Sequence, residues 1–371
     1  MKNSRTDDQF IIVKEEQESE WERKMRKIKV GIVGYGLSGA TFHAPLLSVL
    51  EQFQIAKVVS SNKEKVQKDL KDVEVVSSLE EILEDASIDL AVITTPSGLH
   101  YEMAKQSLLA GKHVILEKPM VVEAWEAEEL IKMSEEKDLL LSVYHNRRWD
   151  NDFLTVKKLM DDGVLGEINT YQVHYDRYRP VVRDRWREKP GPGSGMLYDL
   201  GSHLIDQALH LFGLPQFVWA DVFSQKENAE TDDYFHVILG YEKLRVILHS
   251  GSIVPNNGPR YQVHGSKGSF IKYGLDCQEA ALSEGKKPLD DSWGADDPKF
   301  YGKLVTVEGE NEIHETIETL HGTYLTYYQA IADSILSGKK APVTAQEGLS
   351  VIKIIDAAFE SSKGKKAVYI K

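Results

Sequence analysis

The chain has 371 residues, 42% of them hydrophobic, and a formal net charge of −13 from 45 basic and 58 acidic residues. That length supports two or three domains with their own cores, and the acidic balance disfavours nucleic acid and anionic membrane surfaces as partners. The single cysteine, Cys277, excludes an intrachain disulfide framework and a cysteine-based zinc site; with no apolar run of membrane-spanning length and no signal-peptide core, a cytoplasmic setting is expected.

Residues 1–26 read as a charged N-terminal extension, with Met25 just ahead of the first strand and a natural start expected there. The buried strand Lys29–Val33 runs into Gly34-Tyr35-Gly36-Leu37-Ser38-Gly39. A helix is predicted from Ala40 to about Gln52, a strand at Ile55–Val59 and a short helix at Ser78–Asp85. The strand Leu90–Ile93 leads to Thr94-Thr95-Pro96-Ser97 and a helix at His100–Ala110. His113–Leu116 is a strand followed by Glu117-Lys118-Pro119; a helix at Val122–Lys137 and a strand at Leu139–Val143 complete the series. Strands alternating with helices predict a parallel, doubly wound sheet over residues 27–146.

From residue 147 to 371 the pattern changes. Helices are expected at Asp150–Asp162, Gly201–Leu211, Tyr324–Ser337 and Ala345–Lys363. Strands are expected at Asn169–Arg179, Phe217–Gln225, Tyr234–Leu239, Leu244–Ser250 and Arg260–His264. Tyr171, Val173 and Tyr175 alternate with Gln172, His174 and Asp176, the pattern of a half-buried strand. The expected fold is α/β, with a second α+β domain built on a large, mostly antiparallel open sheet.

Three motifs carry chemistry. In the glycine loop, Gly34 makes the tight turn, Gly36 lets backbone approach a pyrophosphate, and Gly39 lets the next helix pack close. After the second strand, Ser61, Asn62 and Lys63 stand where an NAD site places a carboxylate; none occurs before Glu64, which favours NADP. Lys118 lies at the carboxyl edge of the sheet, where a desolvated lysine exchanges protons near neutral pH; a surface lysine before a proline turn is the alternative. Asp199 and His203 are four apart, on one helical face, as a proton-accepting imidazole with an orienting carboxylate or as a structural pair. The basic stretch around Arg177, Arg179, Arg183, Arg185 and Arg187 reads as a loop paired with Asp176 and Asp184, with anion binding as the alternative. Cys277 reads as an incidental thiol.

Together these motifs resemble the glucose–fructose oxidoreductase/inositol dehydrogenase/MocA (Gfo/Idh/MocA) family, over residues 27–371. The segments Phe42–Leu47, Thr94–Tyr101, Tyr144–Phe153 and Ser292–Asp296 are similar to one subgroup, the NADP-dependent scyllo-inositol 2-dehydrogenases. The resemblance implies a Rossmann domain, a second open-sheet domain and substrate in the cleft between them. It assigns proton handling to Lys118 and His203, and Asp199 to the substrate or to His203. Gly34, Gly36, Leu37, Ser38, Gly39, Ser61, Asn62, Lys63, Thr94, Pro96, His100 and Glu117 would surround NADP(H). Arg148 and Trp149 would line the nicotinamide and Asn146 the substrate. The implied step oxidises a ring hydroxyl of a cyclic polyol and needs no metal. Another polyol, aldose or diol is the alternative substrate, and a non-catalytic NADP(H) sensor the alternative from another class. A homodimer or homotetramer is expected.

Overall fold

A computed structural model describes residues 26–370, so most of the predicted N-terminal extension, including Met25, lies outside the described residues. The first half runs β1 (Ile28–Val33), α1 (Ala44–Val49), β2 (Phe53–Val59), α2 (Lys63–Asp69), β3 (Glu74–Val76), α3 (Glu80–Leu83), β4 (Leu90–Ile93), α4 (His100–Leu109), β5 (His113–Leu116), α5 (Ala124–Glu136) and β6 (Leu141–Val143). These strands form one parallel sheet in the order β3-β2-β1-β4-β5-β6. The central strands are continuous apolar runs because helices cover both faces: Leu90–Ile93 is buried throughout. Strand order reverses between β1 and β4, so the glycine loop opens at the crevice where such sheets bind ligands.

Two local departures from the sequence reading matter here. The predicted helix Ala40–Gln52 is a π-turn at Gly39–His43, closed by the Ala44 N–H on the Gly39 carbonyl, followed by the short α1. Three-residue β3 adds a sixth strand that is too short to show a period.

The second half runs α6 (Asn151–Asp161), β7 (Ile168–His174), α7 (Ser202–Phe212), β8 (Phe217–Phe223), β9 (Tyr234–Gly240), β10 (Arg245–Gly251), β11 (Tyr261–Gly265), β12 (Gly268–Lys272), α8 (Gln278–Ser283), β13 (Gly302–Glu308), β14 (Asn311–Ile317), α9 (Leu325–Ser337), α10 (Ala345–Gly364) and β15 (Val368–Tyr369). Its nine strands are ordered β14-β13-β12-β11-β7-β10-β9-β8-β15, antiparallel except for β7 beside β10. Tyr171, Val173 and Tyr175 are buried on one face, as the alternation predicts, and α7 and α10 belong to the same core. Among the described residues no helix is long and apolar enough to cross a membrane.

The chain then returns to the first sheet. Ser142 of β6 meets the Tyr327 hydroxyl at 2.9 Å and donates to the Val343 carbonyl at 2.7 Å. Tyr144, Tyr327 and Tyr328 pack edge-on or tilted around His43, so α9 braces the helix that follows the glycine loop.

Candidate active site

Each glycine of the loop answers a different steric demand. Gly34 has φ +99°, and its carbonyl accepts the Thr94 hydroxyl at 2.8 Å. A Cβ on Gly39 would sit 2.3 Å from the Gly34 carbonyl oxygen, so only glycine allows that approach. A Cβ on Gly36 would meet nothing within 4 Å. That clear space above the turn is a cradle of the kind a pyrophosphate fills, and the residues fit a dinucleotide. Leu37, beside Gly36, and Pro96, after β4, are both exposed.

At the far end of β2, Ser61, Asn62 and Lys63 are exposed together. The Asn62 side-chain oxygen is already engaged as the N-cap of α2, accepting the Lys65 N–H at 2.9 Å. The sequence reading missed Lys65. Its ammonium donates to the Tyr35 carbonyl at 3.0 Å and stands 5.5 Å over the Tyr35 ring, pinning the glycine loop to α2. The signal was available: Lys65 lies two residues beyond Lys63, inside the first turn of the helix.

Glu117 links loop to chemistry. One carboxylate oxygen accepts the Ser38 hydroxyl and lies 2.9 Å from His43 Nε2, and the other accepts the Lys118 N–H at 2.9 Å. Burial alone would raise its pKa, but the His43 and Ser38 hydrogen bonds and the Lys118 charge lower it to about 2. His100 is buried with its ring nitrogens on the Pro119, Met120 and Thr95 carbonyls. It therefore clamps two loops together beneath the site.

Lys118 and Asp199 meet directly. The ammonium donates to the Asp199 carbonyl at 2.5 Å and to its carboxylate at 3.1 Å. Burial lowers the lysine pKa and Asp199 opposes the fall. Burial would raise the Asp199 carboxyl, yet Lys118, Arg187 and Arg177 hold it well below the usual carboxylate range. The expected Asp199–His203 pairing is not what the fold makes. Asp199 lies in a second π-turn, Leu197–Gly201, closed by the Ser202 N–H on the Leu197 carbonyl, and the wider turn offsets residues that an α-helix would stack. His203 is buried, with Nδ1 lacking a hydrogen-bond partner among the described residues. Burial, reinforced by Lys118, Arg147, His145 and Arg260, holds its pKa well below the ordinary imidazole value, so the ring is neutral.

The arginines also differ from expectation. Arg187 Nε lies 3.2 Å from Asp199 and Arg177 4.0 Å, whereas Arg185 pairs with Glu188 and Asp184 with Lys189. Arg147, Arg177 and Arg260 converge on the buried Tyr175 ring at 5.0, 5.0 and 4.7 Å. Arg147 Nε and Arg260 Nη2 are buried and unpartnered among the described residues, as is His203 Nδ1. Orphaned donors of this sort are rare away from a ligand or water site.

Arg148 and Trp149 are otherwise engaged. The Arg148 guanidinium grips Asp206 through Nε at 2.9 Å and Nη2 at 2.7 Å, and reaches Glu347 at 2.8 Å. Trp149 packs edge-on against Tyr327 at 5.6 Å. The buried turn Asn146–Trp149 brings Asn146 to the same end of the sheet. Cys277 is half-buried, and burial pushes its thiol up to about 11, which suits an inert residue.

A parallel sheet with a glycine cradle at its switch point, facing a lysine and a neutral histidine, defines an NAD(P)-dependent oxidoreductase. Two domain profiles match: "Oxidoreductase family, NAD-binding Rossmann fold" over residues 28–145, and "Oxidoreductase family, C-terminal alpha/beta domain" over residues 157–370. The chain belongs to the Gfo/Idh/MocA oxidoreductase family. It is 60% identical over 348 residues to scyllo-inositol 2-dehydrogenase (NADP(+)) IolW of Bacillus subtilis, spanning 94% of this chain and 97% of that protein. It is 46% identical to the uncharacterized oxidoreductase YdgJ of Escherichia coli, over 91% of this chain and 96% of that one. The solved structure of the putative oxidoreductase yvaA from Bacillus subtilis superimposes with a TM-score of 0.92 at 60% identity, covering 94% of this chain and 99% of that one.

Proposed function

We propose that this chain is an NADP-dependent scyllo-inositol 2-dehydrogenase. The observation that carries the reading is the 60% identity to the B. subtilis enzyme across 94% of the chain. In its support, Gly36 leaves room for a pyrophosphate, Ser61, Asn62 and Lys63 are exposed with no acid before Glu64, and Lys118 pairs with Asp199 in the neighbourhood of His203.

When bound, NADP supplies the hydride acceptor and NADPH the donor. His203, neutral, takes the proton of the ring hydroxyl. Lys118 hydrogen-bonds to the same oxygen and stabilises its developing negative charge. Asp199 holds Lys118 in place and keeps it cationic. In the reverse direction the same two groups polarise an inosose carbonyl and return the proton. The unpartnered donors of Arg147 and Arg260 beside Tyr175 suit a ring bearing hydroxyls on every carbon. We infer domain limits at 27–146 and 147–371, a cytoplasmic setting, and a homodimer or homotetramer, the last supported by the exposed Trp219, Phe223 and Tyr369 at one edge of the second sheet.

Steady-state oxidation of scyllo- and myo-inositol with NADP and with NAD tests the reading. The expected result is turnover of scyllo-inositol with NADP preferred. Tight NADPH binding with no turnover of any cyclic polyol or ketone would favour the sensor instead.

A further inference from the structure

Strands β7, β10 and β9 lie side by side, with His174 opposite His249 and His249 opposite His236. These imidazoles and Asp176 alternate with the buried Tyr175, Ser250, Phe235 and Val237, so they share the sheet face turned away from that core. His174 Nδ1 is 3.1 Å from one Asp176 carboxylate oxygen, and His249 Nε2 is 3.5 Å from the other. One ligand atom from each residue lies within 4.8 Å of the other two.

We propose that His174, Asp176 and His249 bind a divalent cation of the zinc class (Zn2+, Co2+ or Ni2+), at a site separate from the Lys118–Asp199–His203 centre. The donor set suits such ions: two imidazoles and a carboxylate favour them over calcium or magnesium. Metal–ligand bonds of about 2.0–2.2 Å in a tetrahedron place neighbouring donors roughly 3.3–3.6 Å apart. Each histidine already lies close to that spacing from an Asp176 oxygen, His174 from one and His249 from the other.

The outer partners are in place as well. A ligating histidine needs an acceptor for its other ring N–H. The Gln172 amide group lies 2.6 Å from His174 Nε2, and turned over it presents its oxygen there. His236 Nδ1 lies 3.3 Å from His249 Nδ1 and accepts its proton. The Gly251 N–H donates to Asp176 at 2.9 Å and fixes the carboxylate.

A cavity of about 50 Å³ beside His174 and Asp176, also lined by Asn257 and Gly258, leaves room for a water as fourth ligand. Arg260 borders this cavity, with Nε on Asp152, Nη1 on the His174 carbonyl and Nη2 unpartnered among the described residues.

The site has no compact sequence motif, because His174 and Asp176 lie at and just beyond the end of β7 while His249 comes from β10. The test is titration of chelator-treated full-length protein with Co2+ at about pH 7.5, followed by displacement with Zn2+. The expected result is one saturable equivalent with visible d–d bands that Zn2+ abolishes. His249→Gln and Asp176→Asn should each weaken binding at least about 10- to 100-fold. His203→Ala and the exposed His314→Gln should leave it unchanged. X-ray absorption on the Zn2+-loaded wild-type protein needs no variant, and a shell with two imidazoles is expected. The absence of saturable bands, titrations unaltered in both ligand variants, loss of binding in His203→Ala, or a shell with fewer than two imidazoles would each overturn the proposal.

Discussion

Lys118 Nζ contacts Asp199 twice, at the carbonyl (2.5 Å) and the carboxylate (3.1 Å), and that carboxylate also meets Arg187 at 3.2 Å. Asp199 therefore serves the lysine, and the histidine four residues later stays neutral among cations. This division has a sign that can be checked. Burial lowers the Lys118 pKa and the Asp199 charge raises it, so Asp199→Asn lets it fall further. Lys118 then loses its proton at lower pH. The alkaline limb of the kcat/KM profile for polyol oxidation should move towards lower pH, and turnover should drop about 10- to 1,000-fold. Lys118→Ala and His203→Ala should each cut kcat by about 100- to 10,000-fold. NADPH dissociation constants, read by fluorescence, should change little in all three. A variant with normal kcat and weakened NADPH binding would move that residue from proton handling to cofactor binding.

Arg148 separates a structural role from a cofactor role. Its guanidinium and Asp206 form a bidentate pair, both side chains at most 5% exposed. Arg148→Met leaves the Asp206 charge buried and should cost about 3–5 kcal/mol in urea unfolding, with NADPH affinity of the folded fraction unchanged. Pairing it with Asp206→Leu should recover part of the loss, because no charge is then left uncompensated. Arg148 also reaches Glu347, which closes a capping box with Thr344 at the start of α10, so the variant should fray that helix first.

The parts of this architecture that were readable follow from local rules. β1, β4 and β5 are apolar runs, and the three glycines are spaced as a turn, a cradle and a close contact demand. What could not be read depends on tertiary geometry. β14 (Asn311–Ile317) is exposed along nearly its whole length and carries two glutamates, Glu312 and Glu315, so it lacks the one-sided alternation that marks a strand. It is an edge, and charge there opposes pairing with another chain. The π-turns at Gly39–His43 and Leu197–Gly201 leave no periodic signature over five residues, yet the second decides that Asp199 faces Lys118. Arg148 sits in the segment Tyr144–Phe153, whose resemblance suggested a nicotinamide contact, and only the fold shows its planar group held by Asp206 and Glu347.

Lys63 and Lys65 make separable predictions about cofactor choice. Lys63 is exposed at the start of α2 beside Ser61, whereas Lys65 reaches back to the Tyr35 carbonyl. Lys63→Ala should raise KM for NADP about 10-fold and leave KM for NAD unchanged, because only the phosphorylated ribose presents the charge. Lys65→Ala loosens the glycine loop itself and should raise both. Ser61→Asp should reverse the preference towards NAD, since an acid repels the 2′-phosphate and accepts from a 2′-hydroxyl. Equal losses with both cofactors in Lys63→Ala would show that this lysine does not read the phosphate.

Gly36 and Gly39 provide the sharpest contrast, because the same methyl group should do opposite things three residues apart. At Gly39 a Cβ would sit 2.3 Å from the Gly34 carbonyl oxygen, so Gly39→Ala must push the π-turn off the strand. Its melting temperature should fall whether or not cofactor is present. At Gly36 a Cβ meets no protein atom within 4 Å, and φ there is not left-handed, so Gly36→Ala should fold with an unchanged melting temperature. The methyl would instead occupy the space into which a pyrophosphate fits. NADPH affinity should drop about 10- to 100-fold, and the stabilisation that saturating NADPH gives the wild type should largely disappear. Thermal unfolding of both variants with and without NADPH measures the contrast directly. If Gly36→Ala kept the full NADPH-induced stabilisation, the pyrophosphate would have to lie elsewhere than over this loop.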